Sequence, residues 1–186
     1  MSSGAPPEAI STAGSFTSEN VAGILHERGW LSSESGTAES QAASQTWFAR
    51  AAQLLGPHAA DRTGLENLLA LVFGYDAGAI LREPANQAVL AREGARDVVR
   101  ELANRVLTGG DVDSDRLKEI VDAMKAALPY RSRDMFHPIR VALAGAAGTG
   151  ELDRVILLLD AAAKLPFAAP VKGTRQRMLE FCAALD

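Results

Sequence analysis

The chain has 186 residues, 47% of them hydrophobic, and a formal net charge of −4, which fits a globular protein with one ordinary domain or two small subdomains sharing a core. Its single cysteine, Cys182, excludes an internal disulfide framework or a thiolate metal centre, and the acidic balance argues against an indiscriminate nucleic-acid binder. The charge is uneven, however: residues 1–115 hold 8 basic and 15 acidic side chains and no lysine, whereas residues 116–186 hold 11 basic and 8 acidic ones. An anionic partner would therefore meet the C-terminal part.

Aromatics make up only 5% of the chain and alanine is abundant, which favours helix, because alanine and leucine lose least on entering one. No strands are expected. Residues 1–15, "MSSGAPPEAISTAGS", have neither a basic n-region nor an apolar run, so they predict a disordered tail and not a signal or spanning segment. "TSENVAGILHERGW" predicts a helix capped by Thr17, with Val21, Ile24 and Leu25 on one face and a stop near Gly29. "LSSESGTAESQAASQ" reads as a flexible loop. Trp47, Phe48, Ala51, Leu54 and Leu55 then recur at helical spacing before Gly56-Pro57. Trp47 and Phe48 read as core residues and not as a base-stacking platform. Thr63 is the expected cap of a helix with Leu65, Leu68, Leu69, Val72 and Phe73 inward, closed by Gly74.

"YDAGAILREP" is the expected junction between an N-terminal helical subdomain, residues 16–82, and a C-terminal one, residues 83–186. The second should open with helices from Pro84 to Ala91 and from Ala95 to Leu107, stopped by Gly109-Gly110. A helix starting at Asp113 or Ser114 carries Leu117, Ile120, Val121, Met124 and Leu128 and ends at Pro129. Ser132 should cap the next, with Met135, Phe136, Ile139 and Leu143 inward and Pro138 bending it or marking its first turns. "GAAGTG" reads as a turn into the apolar helix "GELDRVILLLDAA". A last helix capped by Thr174 should bury Met178, Leu179 and Cys182. The fold class is all-α: a bundle of eight to ten short helices in two packed subdomains.

Chemistry-bearing motifs are sparse. His26, His58 and His137 never pair at ligand spacing, so no metal site is expected. "GGDVDSD" lacks the central glycine and terminal glutamate of a calcium loop, and "GAAGTG" follows a helix without the Lys-Ser/Thr ending of a phosphate loop. No nucleophile elbow occurs, and Asp113 and Asp115 suit a helix cap. No catalytic residue and no cofactor are expected.

"RDMFHPIRVALAG", followed by "ELDRVILLLDAA" and "GTRQRMLEFCAAL", resembles the C-terminal anticodon-binding helical domain of bacterial glutamyl-tRNA synthetase, a class I aminoacyl-tRNA synthetase. Phe136, Pro138, Arg140, Ala142, Leu143, Gly145, Leu152, Leu158 and Leu159 carry the likeness, and "ENVAGILHERGW", "WFARAAQLLGPHAADRTGLENLLALVFGYD" and "DVDSDRLKEIVDAMKAAL" extend it upstream in the same order. The resemblance implies an anticodon-binding helical bundle whose partner is the anticodon arm of a glutamate-type tRNA, while the lone Cys182 by itself reads as a reduced, cytoplasmic chain. Arg140 matches the family's base-reading arginine in Pro-x-Arg, and Thr149 falls on a threonine of the following turn. A planar guanidinium suits the exposed Watson–Crick edges of unstacked bases.

The chain departs from that pattern at three places. Pro57-His58 stands where the family has Pro-Arg, and a neutral histidine lacks the charged fork. Gly150 replaces the usual proline after Thr149, and Ala144-Gly145 replaces Thr-Gly. The catalytic domain's ATP-binding motifs, of the His-Ile-Gly-His and Lys-Met-Ser-Lys-Ser types, do not occur. The expectation is thus a free-standing module or a piece of a split synthetase, with a catalytic synthetase partner acting in trans. The candidate RNA-contact set is Arg140, Thr149, His58, Arg131, Arg133, Lys172 and Arg175. Arg140 has a structural alternative, pairing with Asp134 or Asp153, while Arg131, Arg133, Lys172, Arg175 and also Arg177 suit surface charge. A different class stays open: a protein-interaction module that kept the fold and lost RNA recognition.

Overall fold

In the computed structural model, residues 15–32 and 36–185 are described, so the expected tail, apart from Ser15, lies outside the described residues. Among the described residues ten α-helices follow one another: α1 (Ser18–Glu27), α2 (Ala38–Leu55), α3 (Arg62–Phe73), α4 (Ala77–Arg82), α5 (Pro84–Leu90), α6 (Ala95–Thr108), α7 (Ser114–Ala127), α8 (Arg133–Ala144), α9 (Gly150–Ala162) and α10 (Thr174–Leu185). A 3₁₀ turn, Gly56–His58, leaves α2, and a lone antiparallel bridge joins Leu31 to Phe167. The fold is all-α, and none of the described helices is long and apolar enough to cross a membrane.

Caps decide most boundaries. Asp61, Asp76 and Asp113 accept from the backbone N–H of Gly64, Ala79 and Arg116 at 2.8, 2.9 and 2.8 Å, each satisfying an orphan donor of a first helical turn. Asp61, and not Thr63, therefore caps α3, and Asp76 starts α4 inside the stretch expected to be a junction. The loop expected at residues 31–45 is largely helix, because Thr37 accepts from Ser40 N–H at 3.2 Å and launches α2 eight residues early. Alanine and serine keep those extra turns helical while Ser44 and Thr46 bond back to the carbonyls of Ser40 and Ala42.

One apolar core runs from Val21 in α1 to Phe181 in α10. An aromatic cluster closes one end: Trp30 stacks on Phe73 with centroids 4.6 Å apart, and Phe167 meets Trp47 and Phe73 edge-on at 5.3 and 5.1 Å. Trp47 Nε1 donates to the Leu158 carbonyl at 3.1 Å, so Trp47 and Phe48 are core residues, each 3% exposed. α9 packs on α2, α3 and α8.

A charged side chain is wholly enclosed in the same core. Arg177, read as surface charge from the sequence, is 0% exposed. Its guanidinium donates to the carbonyls of Leu71 (3.0 Å) and Val72 (2.6 Å) at the end of α3, and of Leu143 (2.8 Å) at the end of α8, while Nε reaches Lys172 O at 2.9 Å. These are the carbonyls a helix C-terminus leaves unpaired, at the negative end of its dipole. Tyr75 lies face-on, with the guanidinium carbon 4.5 Å from the ring centroid. Its hydroxyl donates to Ala142 O at 2.5 Å. Burial draws the Arg177 pKa down to about 10, which leaves it charged at neutral pH.

α10 accordingly buries Thr174, Arg177, Met178 and Phe181. Thr174 is the first helical residue, its N–H and hydroxyl both donating to Asp160, at 2.6 and 2.8 Å. Leu179 is 52% exposed and Cys182 half-buried, contrary to the expected stripe. Replacing Arg177 with leucine should leave at least three enclosed carbonyls without donors. At about 1–3 kcal/mol for each unsatisfied group, offset by relaxation, the expected loss is about 3–5 kcal/mol. Urea unfolding of Arg177→Leu measures it, and a loss below about 1 kcal/mol would show that water replaces the guanidinium.

Candidate nucleic-acid interface

α8 carries the opening half of the motif. Ser132 holds its N-cap position with φ 51 and ψ −126, a left-handed backbone for a non-glycine, and makes no side-chain cap bond. Pro138 sits within the helix and withholds the N–H that would bond the carbonyl of Asp134. Gly145 ends it with φ 88, its N–H shared between Arg140 O and Val141 O at 3.0 and 3.1 Å. A side chain here would strain the backbone and meet Ile80 Cδ1 at 3.1 Å. The chain then turns through Ala146–Gly148 to Thr149, the N-cap position of α9.

Arg140 spans that turn. Its Nε and Nη2 donate to the two carboxylate oxygens of Asp153, both at 2.8 Å, and Nη1 donates to Gly148 O at 3.1 Å. The side chain is 12% exposed and also covers the Phe136 ring at 5.3 Å. Of the two acids named for it from the sequence, Asp153 is the partner. Thr149 is exposed, but its hydroxyl and N–H both donate to Glu151. Burial pushes the Glu151 carboxyl up, and the bonds from Thr149 outweigh it, so its pKa falls below the usual glutamate value.

Beyond Asp153, a groove of about 410 Å³ opens between α7 and α9. Leu117, Val121 and Leu157 form its floor, and Lys118, Lys125, Arg154 and His58 stand around it together with two acids, Asp122 and Asp153, which are paired with Lys125 and Arg140. Lys118, Arg154 and His58 are exposed, and none has an ion pair among the described residues. Lys125 meets Asp122 at 3.6 Å. The sequence reading found His58 and missed the other three. Lys118 and Lys125 sit seven residues apart on α7, and Arg154 comes 29 residues after Lys125 along the chain, so only the packing of the elements around the groove brings them together. The available signal was the absence of any lysine before residue 118.

The remaining candidates lie elsewhere. Arg131 is exposed and donates to the carbonyls of Leu128 and Tyr130, both at 2.6 Å, just past the end of α7. Arg133 begins α8, exposed. Lys172 bonds Glu180 at 2.6 Å and Tyr75 O at 3.2 Å, and Arg175 donates to Leu107 O at the end of α6. Neither lines the groove. A larger cavity of about 550 Å³, beside the end of α10, contains none of the expected contact residues. No cluster of histidine, cysteine or carboxylate side chains suited to a metal ion occurs among the described residues.

A model of the anticodon binding domain family matches residues 22–164, a span that holds the groove, the Arg140 clamp, the second half of α1 and all of α2 to α9. The chain belongs to the anticodon-binding domain family. No curated protein and no solved structure matches it. An anticodon-binding domain has tRNA as its partner class, and a groove walled by α7 and α9 with exposed cations suits such a polyanion.

One titratable group near the clamp makes the domain sensitive to acid. His137 is half-buried on α8, its Nδ1 enclosed and without a hydrogen-bond partner. Burial, followed by the charges of Arg92, Arg140 and Arg133, lowers its pKa, and only Asp134 opposes them. A histidine whose folded pKa lies below its unfolded value of 6.5 binds fewer protons when folded. Its contribution to stability is complete above pH 6.5 and is lost as pH falls from there through the lowered folded pKa. The melting temperature of the native domain should therefore decline as the pH is lowered from neutral through the range below 6.5. His137→Gln should flatten that segment, and an unchanged slope in the variant would assign the decline to other groups.

Proposed function

We propose that this domain is a tRNA-binding module of the glutamyl-tRNA synthetase kind, which seats the anticodon arm in the groove between α7 and α9 and works alongside a catalytic synthetase partner in trans. The observation that carries the reading is the pair of exposed cations Lys118 on α7 and Arg154 on α9, neither ion-paired among the described residues, that line one groove inside the family span. The sequence likeness around Phe136, Pro138 and Arg140 supports the synthetase kind and a glutamate-type tRNA. The cytoplasm, where tRNA is charged, is the location that goes with it. In this reading Arg133 and Arg131 lie at the far end of α8 and meet the backbone of the arm, while His58 borders the groove from the 3₁₀ turn.

Each cation that neutralises a phosphate releases about 0.7–0.9 of a counterion, so at 0.1 M monovalent salt each is worth roughly five- to tenfold in affinity. Lys118→Ala and Arg154→Ala should each weaken binding to glutamate tRNA by about that factor and lower the slope of log affinity against log salt by about one. Fluorescence anisotropy over a salt series reads both quantities. Absence of saturable binding at low salt, or variants indistinguishable from the native chain, would overturn the proposal in favour of a protein partner.

A further inference from the structure

The polar groups beside the groove differ sharply in how free they are. Arg140 has the fork geometry that recognises a base edge, yet Asp153 occupies that fork with two bonds of 2.8 Å and Gly148 O takes Nη1. Charge-assisted bidentate bonds to a carboxylate are about twice as strong as neutral ones. A neutral base edge competing for the same nitrogens would have to displace the stronger partner and strand Asp153. The Thr149 hydroxyl is likewise spent on Glu151. Sequence-selective reading of single-stranded loops also uses aromatic platforms, and apart from the His58 imidazole no aromatic ring lines the groove. The large aromatic rings of the cluster around Phe73 and Phe167 are spent in the core.

What remains available is of another chemical type. Lys118 is a point charge on a flexible stem, which suits a phosphate and cannot form a planar fork, whereas Lys125 is shared with Asp122 at 3.6 Å. Arg154 is exposed, and among the described residues no hydrogen bond holds its guanidinium in one orientation. The apolar floor of Leu117, Val121 and Leu157 offers contact without donors or acceptors.

We infer that the groove grips the RNA arm by its phosphates and is blind to the sequence of the loop, with Asp153 as the residue that withholds Arg140 from base reading. This rests on the tRNA-binding reading above and deepens it: choice among tRNAs then falls to the catalytic partner. The ligand class is a phosphodiester backbone folded as a hairpin arm, whatever its anticodon.

The test uses the full chain with a set of anticodon-arm hairpins that share one stem and differ only in loop sequence, the glutamate anticodon among them. Native affinities should agree within about threefold across the set. Arg140→Lys, which keeps an ion pair to Asp153 but not the fork, should shift every hairpin by the same factor, with its melting temperature measured in parallel. A preference of tenfold or more for one loop would overturn the inference and leave the tRNA-binding reading standing. Failure of every hairpin and of whole tRNA to bind would overturn that reading, and the inference with it.

Discussion

The enclosure of Arg177 is the constraint from which the geometry of the domain follows. Two helices, α3 and α8, end with terminal carbonyls turned toward one point, an arrangement that repels itself unless a cation sits there. A lysine has too few donors for four carbonyls, whereas a guanidinium carries five in a plane. Taking that charge out of water is costly, and the depressed pKa of Arg177 is the trace of that cost. The bonds to four carbonyls and the Tyr75 face offset it. Because Leu143 is one of the four, the end of α8 is fixed, and with it Gly145 and the turn that leads into α9. Arg140, one turn earlier, completes the placement by clamping Asp153 in the first turns of α9. The wall of the groove is thus set by two arginines in series, one buried and one nearly so.

Periodicity revealed the helices, because leucine and alanine repeat at helical spacing through most of the chain. It failed where a polar residue belongs inside. On α10 the buried positions 174, 177, 178 and 181 form a regular i, i+3, i+4, i+7 stripe, but one member is arginine. Choosing Met178, Leu179 and Cys182 instead rotates the inward face by about one residue and places Leu179 in the core, where it is not. No local feature of "TRQRMLEF" reveals that two helix ends distant in sequence await a cation. The early turns of α2 escaped for the opposite reason: serine, glutamine and alanine on an exposed surface leave no apolar stripe, and only the Thr37 cap and alanine's propensity hold them helical.

The site was legible in part. Pro-x-Arg singled out Arg140, and the sequence named Asp153 as a possible partner 13 residues away, but whether the guanidinium faces a ligand or a carboxylate depends on the turn between the two helices. Lys118 and Arg154 could not be joined by reading alone, since their proximity arises from how α7 and α9 meet at the groove. His58 was marked because it departs from a pattern, and it does border the groove.

An acidic chain that presents a cationic groove is not a contradiction once the carboxylates are followed to their partners. Asp61, Asp76 and Asp113 sit at helix N-termini, where backbone N–H groups and the dipole balance their charge. Asp160 accepts from Val112 N–H and from both donors of Thr174, which ties the α6–α7 loop to the start of α10. Asp153 is matched by Arg140 and Asp122 by Lys125. Acids committed in this way project little field, and at physiological salt the more distant ones are screened beyond about 8 Å. Net charge therefore says less about the partner than the few charges left unmatched, and at the groove Lys118 and Arg154 are cations of that kind.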